Sequence, residues 1–572
     1  MSNKLNGIGA SNGIAVASVY VLDEQPIVIP KKDATNLEQE LELINSSIAK
    51  AKKDLESLQA IAKEKLGEEK AAIFEAHASI LEDPAMAEEF TALIKEKNYN
   101  AARAIDEVSK KYIEMFGAME DAYFKERAAD VKDVTQRLIR YVLKMPVLDL
   151  ASISSEVIIV AEDLTPSQTA QLNPKYVKGF ACNVGGRTSH AAIMARSLEI
   201  PAVLGLRTIL STAKEGDVLA IDGSTGDVEI NPSDKSVWEA KAKKFLEEKA
   251  ELEQFKTKST ITKDGYDKFI LEGNIGSPKD VAAVLENGGE GVGLFRSEFL
   301  YMDNDHFPTE EEQFEAYKKV VSDMNGKMTV IRTLDIGGDK KLSYFAFPEE
   351  MNPFLGYRAI RFTMDRKDIF RDQIRALLRA SAFGPVGIMF PMIATIDEFV
   401  SAKKFTLECK AELEKEGVAV GKDLEIGMMV EIPAAAVNAE NFAKHADFFS
   451  VGTNDLIQYS MAADRMSENV TYLYQPFNPS ILRLLKLTID GAHKHGKWAG
   501  MCGEMAGEPD AVPLLMGLGL DAYSMSATSI TKARSIMSKL TLVETQELAK
   551  KALECETSSQ VLDLVHKLMS DK

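Results

Sequence analysis

Cysteine is scarce: four in 572 residues, Cys182, Cys409, Cys502 and Cys555, far apart and with no CxxC pair. That excludes a disulfide framework and a zinc knuckle, and it fits a reducing compartment. Long apolar runs are also missing. Residues 386–396, interrupted by Pro391, and 511–520 fall short of the roughly 18 residues that a membrane span requires. The start, Met1-Ser2-Asn3-Lys4-Leu5-Asn6, lacks the basic and apolar segments of a signal peptide, so a cytoplasmic protein without membrane insertion is expected. Positive charge is in deficit, with 68 Lys and Arg against 87 Asp and Glu, a net charge of -19. This argues against a nucleic-acid or anionic-membrane surface as the main partner, and any anion site must be a local gathering of Arg and Lys.

Nucleotide and hydrolase signatures are lacking as well. Residues 491–497 match GxxxxGK but continue with Trp498 and precede a β run instead of following one, which excludes a Walker A loop. Residues 9–13 match GxSxG inside a β segment with no acidic and histidine partners in order nearby, so no hydrolase elbow is expected. His493 and His495 form an H-x-H pair on a Lys-rich helix end, where solvated histidines are expected.

What is present is a folded multidomain α/β chain, 45% apolar and 27% charged, long enough for several domains. Residues 14–22 and 27–29 read as short strands. From Asp33 the pattern changes: Leu37, Leu41, Ile44, Ile48, Ala51, Leu55 and Leu58 step by three and four, the seam of a long amphipathic helix. Further helical periodicity over 70–81 and 101–143, with Asp83 capping a helix that Pro84 opens, predicts a helical bundle over 33–145. Strand patterns return after Pro146, so the bundle reads as inserted into an α/β domain made of 1–32 and 146–234. A charged connecting helix over 235–262 leads to residues 263–572.

There, β runs alternate with helical stretches in the rhythm of a (β/α)8 barrel, with a weak strand candidate at 353–357 and a late run at 522–525. Useful side chains of a barrel stand where strands end. Arg296, Arg332 with Asp335, Arg358, Glu431, Asn454 with Asp455, and Cys502 with Glu504 follow successive β runs. Arginine forks suit phosphate and carboxylate oxygens, and two carboxylates from neighbouring strands suit a hard cation such as Mg2+. In the other half, Gly185-Gly186-Arg187-Thr188-Ser189-His190 precedes an apolar helical run. Thr188 or Ser189 can cap there, and His190 falls in the first turn, where backbone N–H groups favour an anion and a neutral imidazole can attack phosphorus.

The run from Gly185 to Arg196 and Asp163-Leu164-Thr165-Pro166-Ser167 resemble the phosphohistidine domain of the phosphoenolpyruvate-utilising family. Phe295-Arg296-Ser297-Glu298-Phe299-Leu300, Arg332-Thr333-Leu334-Asp335-Ile336-Gly337-Gly338-Asp339-Lys340 and Met501-Cys502-Gly503-Glu504 resemble its substrate barrel. Over its whole length the chain is similar to the Enzyme I branch serving phosphoenolpyruvate:sugar phosphotransferase systems. The resemblance implies phosphorylation of His190, with Thr169 placed to hydrogen-bond it. Arg296 and Arg332 would then hold the substrate phosphate with Arg358 as helper, and Asn454 and Arg465 the carboxylate. Asp455 would adjoin the substrate, Glu431 and Asp455 would ligate Mg2+, and Cys502 would protonate the enolate carbon. It also implies a barrel-mediated homodimer and the small phosphocarrier HPr as acceptor, docked on the bundle, with Ile80, Leu81, Glu82, Asp83 and Met86 as a candidate patch. A dikinase or synthase relative would need a nucleotide site. An enzyme of a different reaction would not need an intact Arg, Glu, Asp and Cys rim; the third alternative is a non-catalytic histidine-phosphorylated interaction protein that uses the bundle only as a scaffold.

Overall fold

The computed structural model describes the chain except residues 1–2, 23–26, 67, 118–121, 147–149, 187–188, 303, 339, 341, 466 and 571; His190 is described through its backbone. Two compact units are present, Met1–Glu248 and Lys249–Lys572.

The first unit contains one eight-stranded sheet. Its strands are β1 (Lys4–Asn6), β2 (Ile8–Ser11), β3 (Ile14–Val21), β4 (Val157–Ala161), β5 (Val177–Cys182), β6 (Ala202–Leu204), β7 (Val218–Asp222) and β8 (Asp227–Ile230). The order is β1-β8-β7-β3-β4-β5-β6-β2, with β3, β4, β5 and β6 parallel and the other pairs antiparallel. β4 is buried at every position, as expected for a continuous apolar run covered on both faces.

Between β3 and β4 the chain leaves the sheet for the helices Leu37–Leu66, Glu68–Leu81, Pro84–Lys97, Ala101–Gly117 and Ala122–Val142. The seam residues Ile44, Ala51, Leu55 and Leu58 pack with Phe74, Phe90, Ile105 and Leu138 in one core. Asp83 caps the third of these helices by accepting from the Ala85 N–H at 2.8 Å, with Pro84 in the first helical position. Of the candidate docking patch, Leu81 and Met86 are buried in this core and Ile80 is half-buried against it. Residues 27–29 form no strand. Pro26 and Pro30, which have no N–H to give a ladder, flank them, and Ile27 and Ile29 pack on the bundle instead.

The second unit is a closed barrel of eight parallel strands: β9 (Ile270–Ile275), β10 (Gly291–Arg296), β11 (Thr329–Arg332), β12 (Val386–Phe390), β13 (Leu424–Val430), β14 (Phe448–Val451), β15 (Trp498–Met501) and β16 (Ala522–Met525). The late run is thus the closing strand, paired with β15 and β9. The weak candidate near Pro353 is a 3-10 turn, Pro353–Leu355; Pro353 cannot donate to a ladder, and the turn closes with Gly356 N–H on the Pro353 carbonyl. Inside the barrel Gly291 and Gly293 lie against the buried Glu272 carboxyl, where an added Cβ would come within 2.6 and 2.4 Å of its oxygens. Among the described residues no helix is long and apolar enough to cross a membrane.

Candidate active site

The C-terminal rim of the barrel collects the charged residues that follow the strands. Arg296 and Arg332 end β10 and β11 and are register partners. Arg332 is buried. Its Nη2 donates to Glu298 Oε1 at 2.6 Å, and its Nη1 stands 3.2 Å from Asp335 Oδ2. Arg358 is buried beside it, donating through Nη2 to both oxygens of Asp335 at 2.9 and 3.0 Å, and through Nη1 to Tyr459 Oη at 3.2 Å. Burial opposes both guanidinium charges, yet the facing carboxylates more than offset it and hold both pKa values above the ordinary arginine value. The same arginines, working against burial, pull the Asp335 carboxyl far below the usual carboxylate range. Lys340 Nζ lies 3.6 Å from both Glu298 and Asp335, so three cations surround two carboxylates.

Glu431 follows β13 and is buried. One oxygen accepts the Met392 N–H at 2.6 Å; Met392 itself sits at φ +56°, a strained setting for a side-chain-bearing residue that aims this donor. Burial first, then the Asp455 and Asp335 carboxylates, push its pKa up to about 8. Gly452 leaves room for this group, because a Cβ there would stand 2.9 Å from Glu431 Oε2. Asp455, in the helix Thr453–Met461 after β14, lies 3.5 Å from Arg358 Nη1 and 3.6 Å from Arg465 Nη1. The adjacent Asn454 accepts from Tyr474 Oη at 2.7 Å.

Buried polar atoms without a hydrogen-bond partner are few in folded proteins, so their location is informative. Of twelve among the described residues, five sit on this rim: Glu298 Oε2, Arg332 Nε, Thr333 Oγ1, Glu431 Oε2 and Thr453 Oγ1. Unused donor and acceptor positions stand together, which fits a ligand that presents both anionic oxygens and a cation. Among the described residues no cluster of three or more His, Cys, Asp or Glu side chains is placed to hold a metal. A pair of carboxylates with one unused oxygen fits Mg2+, which takes one or two carboxylates and completes its shell with water and substrate oxygens.

Cys502 is the first residue past β15 and is buried in the barrel interior with Leu294, Val330, Met389 and Met429. Its thiol points to the Val451 carbonyl at 3.7 Å, and burial pushes its pKa up to about 11 despite the nearby Ser450 hydroxyl and Arg332. It is therefore a thiol, not a thiolate, near neutral pH, and has a proton to give.

In the first unit, helix His190–Ser197 begins at His190 and is capped by Ser189, whose Oγ accepts the Ala192 N–H at 3.3 Å. Gly185, at φ +102°, supplies the left-handed turn before it. Arg187 and Thr188 lie outside the described residues, as does the expected bond from Thr169 to the His190 side chain. Thr169 is buried and donates to the Thr165 carbonyl at 3.0 Å. Nearby, Ser167 donates to Asp133 Oδ2 at 2.7 Å, which ties this turn to the bundle.

The structure thus brings Arg296, Arg332, Arg358, Glu431, Asn454, Asp455, Arg465 and Cys502 to one rim, and places His190 at a helix start in the other unit. Tyr459 and Asn274 also support the rim, Asn274 by donating to the Cys502 carbonyl, and sequence reasoning missed both. Glu298 lies in the run Phe295–Leu300, where the sequence alone marks no role for it. The H-x-H pair is ordinary in part: His493 Nε2 stands 2.7 Å from Asp521, a partner that raises its pKa.

Three family profiles match the chain. The profile of the PEP-utilising enzyme PEP-binding domain matches residues 249–542, that of the N-terminal domain residues 6–127, and that of the mobile domain residues 153–226. A phosphoenolpyruvate-protein phosphotransferase of Mycoplasma capricolum subsp. capricolum is 60% identical over 573 residues, covering 100% of both chains. Proteins of the same description from Staphylococcus carnosus and Priestia megaterium are each 52% identical over 567 residues, covering 99% of both chains.

Proposed function

The chain belongs to the PEP-utilising enzyme family, and from that premise we propose that it is a phosphoenolpyruvate-protein phosphotransferase that passes the phosphoryl group first to its own His190 and then to a second protein. The observation that carries the reading is the concentration of unused donors and acceptors on one rim, around buried Arg332 and Glu431, beside a thiol that holds its proton.

In this reading Arg296 and Arg332 take the substrate phosphate, Arg332 through the Nε that has no other partner. Asn454 and Arg465 take the carboxylate. Glu298 and Asp335 keep Arg332 and Arg358 aimed and charged before substrate arrives, so little reorganisation is left for the reaction itself. Glu431 and Asp455 would hold Mg2+, which when bound would supply positive charge to offset the charge that develops in the transfer. The imidazole nitrogen of His190 attacks phosphorus. The bond from phosphorus to the enol oxygen breaks with its electron pair staying on oxygen, giving enolate and phosphohistidine. The enolate carbonyl re-forms as the carbon–carbon π pair takes a proton from Cys502 Sγ, completing pyruvate; the thiolate regains a proton from solvent. His190 must reach the barrel rim for the first transfer and leave it for the second.

We assign residues 1–32 and 146–234 to the phosphohistidine domain, 33–145 to the acceptor-docking bundle, 235–262 to the linker and 263–572 to the substrate and dimerisation barrel. The phosphocarrier HPr, a homodimer and a cytoplasmic site of action complete the proposal, by family membership and the lack of a spanning helix among the described residues. The test is stoichiometry. Without an acceptor protein, phosphoenolpyruvate and Mg2+ should release one pyruvate per chain and then stop, and HPr should restore turnover. Continuous pyruvate release without acceptor would make the chain a phosphatase, and none at all would end the proposal.

A further inference from the structure

Cys502 stands at a frayed place. The ladder between β15 and β16 has its last register pair at Met501 and Tyr523, so the residue that carries the thiol lies one step past regular pairing. On one side its N–H donates to the Val451 carbonyl at 3.1 Å, the same oxygen its thiol approaches. On the other side the support comes from a side chain two strands away. Asn274, near the end of β9, donates its Nδ2 to the Cys502 carbonyl at 3.0 Å. Between them, Ser524 of β16 donates its Oγ to Asn274 Oδ1 at 2.6 Å, which fixes the amide with its nitrogen toward Cys502. β16 pairs with β9 through Ser524 and Glu272, so the three residues form a hydrogen-bonded strut across three adjacent strands of the barrel interior.

We infer that Asn274 is a positioning residue for Cys502, held in orientation by Ser524, and that proton delivery to the enolate carbon depends on this strut. The inference rests on the proposed role of Cys502 as proton donor. A hydrogen bond of this kind adds little to stability, but a donor displaced by about 1 Å can lose roughly a hundredfold in rate. The strut acts on one step alone. Neither Asn274 nor Ser524 bonds to the arginines or to Glu431 among the described residues, so phosphoryl transfer is not reached through it.

The experiment uses the full-length protein with Mg2+ and labelled phosphoenolpyruvate, following two readouts: labelling of the protein in a single turnover, and pyruvate formation in H2O and D2O. Asn274→Leu, close in volume and without a donor, should label within about twofold of wild type but form pyruvate about tenfold more slowly or worse. Its solvent isotope effect on pyruvate formation should be enlarged, because proton transfer becomes limiting. Asn274→Asp keeps the acceptor for Ser524 and should recover at low pH, where the protonated carboxyl can donate again; it serves if Asn274→Leu does not fold. Wild-type pyruvate formation in these variants, or labelling and pyruvate falling in parallel, overturns the inference. Cys502→Ala separates the causes. If it shows the same split between steps and the Asn274 variants do not, the strut alone is wrong. If it shows no split, the Cys502 assignment fails and takes the strut with it.

Discussion

Burial raises the pKa of two groups on the rim: the Cys502 thiol keeps its proton well above neutral pH, and the Glu431 carboxyl is held protonated where a free one would be ionised. The Cys502 thiol, raised from 9.0 to about 11 by burial, should be ionised at pH 8 in only about one molecule in a thousand, against about one in ten at the ordinary value. Alkylation of Cys502 by iodoacetamide at pH 8 should therefore run roughly a hundredfold more slowly than for a free cysteine, since the thiolate is the nucleophile. Fast alkylation, followed by peptide mapping, would show a thiolate and remove Cys502 as the proton source. Glu431 is the other case. Its unused oxygen is explained if a cation binds there, so Glu431→Gln and Asp455→Asn should each shift the Mg2+ titration of protein labelling to higher concentration, by tenfold or more for the loss of one hard anionic ligand. Unchanged titrations in both variants would mean that other groups hold the metal. The place of these residues on one rim was legible because each follows an apolar β run in a parallel barrel; the roles proposed for them came from the family resemblance. Tyr459, inside a helix, gave no such signal, and Asn274 stands near a strand end but carries no charge to mark it. They are ordinary polar residues whose partners lie 228 and 101 positions away in the chain, and only closure of the barrel brings them into reach.

At the scale of elements, β9 carries a cost of its own. Glu272 is buried inside the barrel against Gly291 and Gly293, and burial, then the Glu290 carboxylate, raise its pKa from 4.5 to about 8. Between those values the folded barrel binds a proton that the unfolded chain has released, so the stability this group contributes is complete below about pH 4.5 and is lost as pH rises toward about 8. Glu272→Gln, neutral at every pH, should flatten this dependence: its melting temperature should exceed that of wild type at pH 8.5 and approach it at pH 5, by calorimetry. A wild-type protein that melts no earlier at pH 8.5 relative to the variant would contradict the assignment. Elements with strong periodicity were the ones read correctly from sequence, such as the seam of helix Leu37–Leu66 and the capped start of Pro84–Lys97. Short apolar segments beside proline were not. Residues 27–29 and Pro353–Leu355 have strand-like composition, but proline withholds the N–H that a ladder needs, and tertiary packing chose loop and 3-10 turn.

For the whole molecule, the division at Glu248 and Lys249 puts His190 in one compact unit and the charged barrel rim in the other, and the proposed function gives each unit its own task. A fragment comprising residues 1–248 has cores of its own in the sheet and the bundle and should unfold cooperatively by itself. Lacking the rim, it should take no phosphate from phosphoenolpyruvate, yet it should accept it from phosphorylated HPr through His190. A folded fragment that HPr cannot phosphorylate would overturn the division of labour, and one that phosphoenolpyruvate does phosphorylate would place the substrate site outside the barrel. The central claim is that phosphorus passes from phosphoenolpyruvate to His190. Its most direct test is to incubate the intact protein with phosphoenolpyruvate labelled in the phosphate, with Mg2+, and to locate the label by peptide mapping after alkaline work-up. The account predicts one label per chain, stable to base and lost in acid, on the peptide containing His190 and absent from His190→Ala. A stoichiometric label on His190→Ala, or an acid-stable label on a hydroxyl side chain, would contradict it.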